Sequence, residues 1–211
     1  VVACDVAWRE HAAGIVAWIG AAGPRLSAVI HTAGRGQATA LNDTSVAEVA
    51  EVWAAKAAGV AHLDELTAGL DLEAFVLFSS ISATWGAGQQ PAYAAANMFL
   101  DATAERRHGR GLSAMSVAFG PWGGGGMRGE DGAQLARRGL RLLYPDLVLR
   151  ALGQAIDAGE HLVTVADVDW ARFGPAFTVR RPSPLIGDLP EVRQALAVAE
   201  AAAGAAAEPV R

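Results

Sequence analysis

The chain has 211 residues, 52% hydrophobic and 18% charged, a composition too apolar for a disordered or solvating segment and long enough to bury one large core. No window approaches about 18 apolar residues without a charge or a Gly-Pro break, and the opening VVACDVAWRE has no basic leader, so neither a membrane span nor a signal peptide is expected and the expected address is cytoplasmic. One cysteine, Cys4, excludes an internal disulfide framework and a cysteine-based zinc site, and a net charge of −5 argues against nucleic acid as a partner.

Five short runs of apolar and β-branched residues read as strands: VVACDV (1–6), LSAVIHTA (26–33), AFVLFSS (74–80), SAMSVAFG (113–120) and HLVTVADV (161–168). Helical patterns fill the crossovers at 8–20, 45–68, 91–107 and 145–158, the second opening with Asn42, Asp43 or Thr44 as N-cap. Strands alternating with long helices predict an α/β fold, a Rossmann-like parallel sheet with helices on both faces. The tail AVAEAAAGAAAEPVR reads as a fraying helix running into a linker, which puts the end of the domain near residue 196 and a linker over 197–211.

Ligands of such sheets bind beyond the carboxyl ends of the strands. Small residues stand there: His31-Thr32-Ala33-Gly34 after the second run, Ser79-Ser80 after the third, and Gly120-Pro121-Trp122 with glycines to Gly126 after the fourth. Each alone also fits an ordinary tight turn.

Of 17 Lys and Arg residues only Lys56 is lysine, which is either chance in an arginine-biased chain or a position that needs an ammonium. Tyr93, one of two tyrosines, follows Pro91 in the first turns of a helix, with Asn97 one turn further on the same face. Ser80 closes the preceding strand, and a right-handed crossover brings Lys56 to the same end of the sheet. A nearby ammonium lowers the pKa of a phenol toward useful acid-base range, while a serine hydroxyl holds a carbonyl oxygen and an asparagine amide completes a proton relay; together they suit carbonyl reduction. Taken singly, Tyr93 also fits a helix residue at the domain edge, Lys56 a solvated face, and Ser80 and Asn97 local caps.

On Lys56, Ser80, Tyr93 and Asn97, and on VLFSS, YAAANMFLDA, FGPWGGGGM, VADVDWARFGPAF and RPSPLIGDLPEVR, residues 1–196 resemble the catalytic half of a modular polyketide synthase ketoreductase, a branch of the short-chain dehydrogenase/reductase superfamily. General members of that superfamily carry lysine four residues after the tyrosine. The polyketide branch has it on the preceding helix, as Lys56 stands here with Asn97 in the other place. The resemblance implies NADPH-dependent reduction of a β-ketoacyl group on the phosphopantetheine arm of an acyl carrier protein. Tyr93 would protonate the carbonyl oxygen, Ser80 would hold it, and Lys56 would bind the nicotinamide ribose and tune Tyr93. Asp5 and Val6 would border the adenine of NADP(H), Ala33 and Gly34 would lie beneath its ribose, and Pro121 would touch the nicotinamide. Residues 123–144 match a mobile lid in which Met127 covers substrate.

The same resemblance bears on stereochemistry. The Leu-Asp-Asp fingerprint of B-type ketoreductases is absent from RGQATALND, while Trp85 stands eight residues before Tyr93 as in A-type enzymes, implying an L-configured β-hydroxyl. Gln90, three before Tyr93, is not the histidine of the A-type subgroup that handles an epimerised α-methyl, which implies a D-configured or absent α-substituent. Trp85 equally fits a large apolar side chain lining a pocket.

No glycine-rich turn for a pyrophosphate precedes VVACDV, and the glycines at 123–126 follow the fourth strand and open no βαβ unit. The expectation is that these residues begin at the family's third strand and work with an upstream ketoreductase segment carrying that turn, among neighbouring synthase domains. Alone, they are expected to be inactive, with a sheet edge needing cover. A redox-silent scaffold within a synthase is the competing reading, which four intact polar residues disfavour. A free-standing dehydrogenase acting on a small alcohol is disfavoured by the displaced lysine and the tail.

Overall fold

The computed structural model describes residues 1–124 and 132–207. Its centre is a four-stranded parallel sheet in the order β1 (Ala28–His31), β2 (Ala74–Ser80), β3 (Met115–Phe119), β5 (Leu162–Val165). β2 is apolar nearly throughout because both of its faces are covered. Its alternate residues part company: Phe75 and Leu77 join Val60 and Leu63 of α3 (Gly59–Thr67) and Leu100 and Ala104 of α5 (Pro91–Gly109). Val76 faces the other way, into Met115, Val117, Phe119 and the buried Val148 and Ala155 of α7 (Pro145–Asp157). The sheet is thus sandwiched between helical layers, the Rossmann-like α/β arrangement expected.

The expected strand at 1–6 is not one. Val1–Asp5 runs irregularly into α1 (Arg9–Ala22), and among the described residues no strand neighbours it. Alternating apolar residues make a strand only where an adjacent backbone accepts the ladder bonds. The last predicted strand divides: β5 ends at Val165, and β6 (Asp167–Val168) turns away to pair antiparallel with β4 (Leu140–Arg141).

The helix expected over 45–68 is continuous but uneven. α2 (Val46–Trp53) passes into a π turn over Ala54–Ala58 and then into α3. Its cap is Ser45, not Asn42, Asp43 or Thr44: Ser45 Oγ accepts from Glu48 N at 3.1 Å, while Leu41–Asp43 forms a 3-10 turn and the Thr44 hydroxyl donates to Ala40 O at 2.8 Å. After β2 the chain makes a short helix that the periodicity did not announce, α4 (Ile81–Trp85). α6 (Gly132–Arg137) precedes β4. Helices α8 (Trp170–Thr178), α9 (Pro184–Gly187) and α10 (Pro190–Ala207) close the chain, packing Phe173, Ile186 and Val192 into a satellite core; α10 runs through the expected domain boundary near 196.

Candidate active site

Lys56 lies within the π turn, 2% exposed. Its Nζ donates to the carbonyl oxygen of Phe78 in β2 at 2.9 Å and lies 5.6 Å from the centroid of the Tyr93 ring. Burial lowers its pKa to about 8, against an upward pull from the Asp101 carboxylate.

Tyr93 is the third residue of α5, 8% exposed. Burial pushes its phenol above the ordinary value, and interactions with Asn97 and Ser80 pull it part of the way back. The expectation that an adjacent ammonium brings the phenol down is reversed, because desolvation outweighs the contacts that favour phenolate. Tyr93 is therefore held as a protonated donor.

Ser80 ends β2 and caps α4, its Oγ accepting from Ser82 N at 3.2 Å. With one lone pair so engaged, the hydroxyl proton remains to donate outward. Asn97 is fully buried; its Nδ2 donates to Tyr93 O at 2.8 Å, and its Oδ1 has no partner among the described residues. Lys56, Ser80, Tyr93 and Asn97 therefore converge, drawn from the π turn, a strand end and one helix.

Gly34 joins them. A Cβ built there would stand 3.1 Å from Lys56 Nζ, so the backbone after β1 passes close against the ammonium and a side chain there would have to push it aside. This bare floor beside a buried donor fits a nucleotide ribose. Val6, in the segment before α1, packs against the helix that carries Lys56 about one turn further on: its carbonyl meets His62 Nδ1 at 3.0 Å, and its Cγ2 is 2.7 Å from where a Cβ on Gly59 would be. Asp5 Oδ1 accepts from Ala7 N at 3.0 Å, shaping the turn into α1. Pro121 follows β3, its carbonyl accepting from Leu143 N at 2.7 Å.

Trp85 ends α4 with its ring 5.5 Å from that of Phe173, lining an open cavity of about 250 Å³ with Thr84, Ala166 and Trp170. Gln90 occupies the N-cap position of α5 but makes no side-chain cap. Met127, with Gly125, Gly126 and Gly129 of the expected lid, lies outside the described residues.

Sequence reasoning missed a polar layer behind the site. Asp101 accepts from Ser116 Oγ at 2.6 Å; burial raises its pKa, while Ser116, Ser79 and Lys56 oppose that. Ser79 Oγ donates to Asn97 O at 3.3 Å. The spacing 93, 97, 101, which stacks three polar groups on one helix face, was the available signal. His31, 4% exposed, has neither ring nitrogen partnered among the described residues; burial and then the Lys56 charge hold its pKa down at about 4, so it stays neutral.

A parallel sheet flanked by helices, with Tyr, Ser, Lys and Asn gathered at the carboxyl ends of its strands, defines an oxidoreductase of the short-chain dehydrogenase/reductase kind. Residues 1–124 match the family described as KR domain, and the chain belongs to that family, the ketoreductase domains of modular polyketide synthases. It is 49% identical over 198 residues to the pikromycin polyketide synthase component PikAIII of Streptomyces venezuelae, covering 93% of this chain and 13% of that protein. Among solved structures it is similar to an A1-type ketoreductase (42% identity, TM-score 0.87, 92% of this chain and 41% of that one) and to a C2-type ketoreductase from a modular polyketide synthase (43%, TM-score 0.83, 91% and 41%). The chain thus spans about two fifths of the solved relatives it matches and a small part of the synthase. The ketoreductase fold implies a nicotinamide cofactor. Among the described residues no helix is long and apolar enough to cross a membrane.

Proposed function

We propose that this chain is the catalytic portion of a ketoreductase that uses NADPH to reduce a β-ketoacyl thioester, held on the phosphopantetheine arm of an acyl carrier protein, to the L-β-hydroxyacyl product during polyketide extension in the cytoplasm. The observation that carries the reading is the meeting of the Lys56 ammonium, the Ser80 hydroxyl and Asn97 around the Tyr93 phenol.

The cofactor supplies the hydride. Ser80, its oxygen already accepting from Ser82 N, donates a hydrogen bond to the substrate carbonyl oxygen and so fixes that oxygen beside Tyr93. Tyr93, kept protonated by burial, delivers the proton to that oxygen as charge develops there. Lys56, anchored on Phe78 O, keeps two N–H groups for the nicotinamide ribose and for stabilising the phenolate left behind. Asn97 holds the carbonyl of Tyr93 and leaves Oδ1 to orient a water or the ammonium for reprotonation. Ala33 and Gly34 floor the adenine ribose, Asp5 and Val6 border the adenine, and Pro121 meets the nicotinamide.

Product configuration rests on Trp85 and the absent Leu-Asp-Asp, not on overall similarity, since a C2-type relative is as near as an A1-type one. Trp85 beside an open cavity supports a role in orienting the acyl chain, with Gln90 and Met127 acting on the α-substituent and the lid. Cofactor binding calls for an upstream ketoreductase segment with the glycine-rich turn, in a synthase whose other domains lie alongside. The domain ends near 196 in this reading, with 197–211 leading toward the carrier protein. The test is NADPH oxidation by the full-length protein with a β-ketoacyl thioester, followed by chiral analysis. Oxidation yielding the L-alcohol is expected, and the absence of oxidation would leave a redox-silent scaffold.

A further inference from the structure

Gln37 is a glutamine 6% exposed, unusual for a residue type that normally keeps its amide in water. Its Oε1 accepts from Ala92 N at 2.8 Å and from Tyr93 N at 3.2 Å, and its Nε2 donates to Thr44 Oγ1 at 3.2 Å. Helix α5 is otherwise uncapped: Gln90 makes no cap bond, Pro91 has no N–H, and the first intrahelical bond runs from Ala94 N to Gln90 O. The two free N–H groups are those an N-cap side chain ordinarily serves, and here a residue more than fifty positions earlier serves both. A second tie lies beside the first. Thr39 N donates to the carbonyl of Gln89, whose φ of 62° is a left-handed setting that a non-glycine residue adopts only when held there.

The loop that makes these ties begins at Ala33–Gly34, whose backbone passes against Lys56 Nζ. Three residues on, it grips the amide of Tyr93 itself. We infer that Gln37 is a positioning residue for the Tyr93 phenol, fixing the first turn of α5 from the same loop that floors the cofactor, so that the cofactor's seat and the proton donor are held as one unit. This inference rests on the reductase reading above. The reach of a proton donor is set by its helix, and a displacement of about 1 Å at such a group costs up to about a hundredfold in rate.

The test uses the full-length protein with the substitutions Gln37→Met, which keeps length and loses the acceptor, and Gln37→Glu, which keeps an oxygen for both N–H groups. Gln37→Met is expected to lower kcat about 30-fold with KM for thioester and NADPH within about twofold, and Gln37→Glu to stay within about threefold of the parent. Amide hydrogen exchange over residues 92–97 should rise in Gln37→Met and return toward the parent rate in Gln37→Glu. Should Gln37→Met not fold, Thr44→Val, which removes only the partner of Nε2, is expected to give a smaller fall in kcat and a smaller rise in exchange. Parent-like kcat, or parent-like exchange, in folded Gln37→Met or, failing that, in Thr44→Val would overturn the inference; so would a rise in KM without a fall in kcat. A parent protein that oxidises no NADPH would overturn the reductase reading and the kinetic role together, while the exchange measurement still decides whether Gln37 holds the amide of Tyr93.

Discussion

The ammonium of Lys56 donates to the carbonyl oxygen of Phe78 at 2.9 Å, tying a helix to the strand that ends two residues later in Ser80. This bond keeps a charge in a buried place, and it bears on how activity responds to pH. With its pKa brought down to about 8 by burial, Lys56 is an ammonium below that value and neutral above it. Reduction is therefore expected to fall as pH rises through about 8, read as the alkaline limb of kcat against pH. Asp101 raises that pKa, so Asp101→Asn, which removes its charge, should move the limb to lower pH.

Tyr93→Phe removes the proton donor and leaves the ring in its contacts with Val52, Ala92 and Ala96. Turnover should fall at least about 10³-fold with NADPH affinity, measured by fluorescence titration, within about twofold. Comparable rates in variant and parent would remove Tyr93 from its role.

Gly34→Ala places a methyl 3.1 Å from Lys56 Nζ, so the ammonium must shift by a few tenths of an ångström to make room. The flexible lysine stem absorbs this at little cost in stability, but the nucleotide's floor is raised. The expected outcome is about tenfold weaker NADPH binding with an unchanged urea midpoint.

Stability should be most sensitive at Asp64, which is 6% exposed and accepts from Arg107 at 2.8 Å and Arg106 at 2.9 Å. Arg107 is 1% exposed and lies 4.0 Å from the centroid of the Phe75 ring. Asp64→Asn leaves that guanidinium buried without its counter-charge, a loss of about 3 kcal/mol read from the urea midpoint. Arg25→Ala, breaking an exposed pair with Asp71, should leave the midpoint where it was.

Much of the sheet was legible in the sequence because β2, buried on both faces, needs an unbroken apolar run, and AFVLFSS marks its limits to the residue. Pro91 marked the start of α5 for an equally local reason. What escaped was set by distant partners. The segment 1–6 has strand-like residues but no neighbouring ladder among those described, Ser45 took a cap that three earlier residues could have supplied, and Gln37 reaches an amide far along the chain. The shift of the phenol was likewise illegible, since its direction depends on how deeply Tyr93 is enclosed.

The π turn at Ala54–Ala58 gives the helix that carries Lys56 two facings in one continuous rod. Before it, Val52 presses into the small cluster around Tyr93; after it, Val60 and Leu63 fill the sheet's core. An extra residue accommodated in a wide turn rotates what precedes it by about 100° relative to a regular coil. The lysine's aim is thus a matter of phase between two apolar seams, and losing a single alanine from this stretch would swing the charge off target while leaving both seams intact in composition.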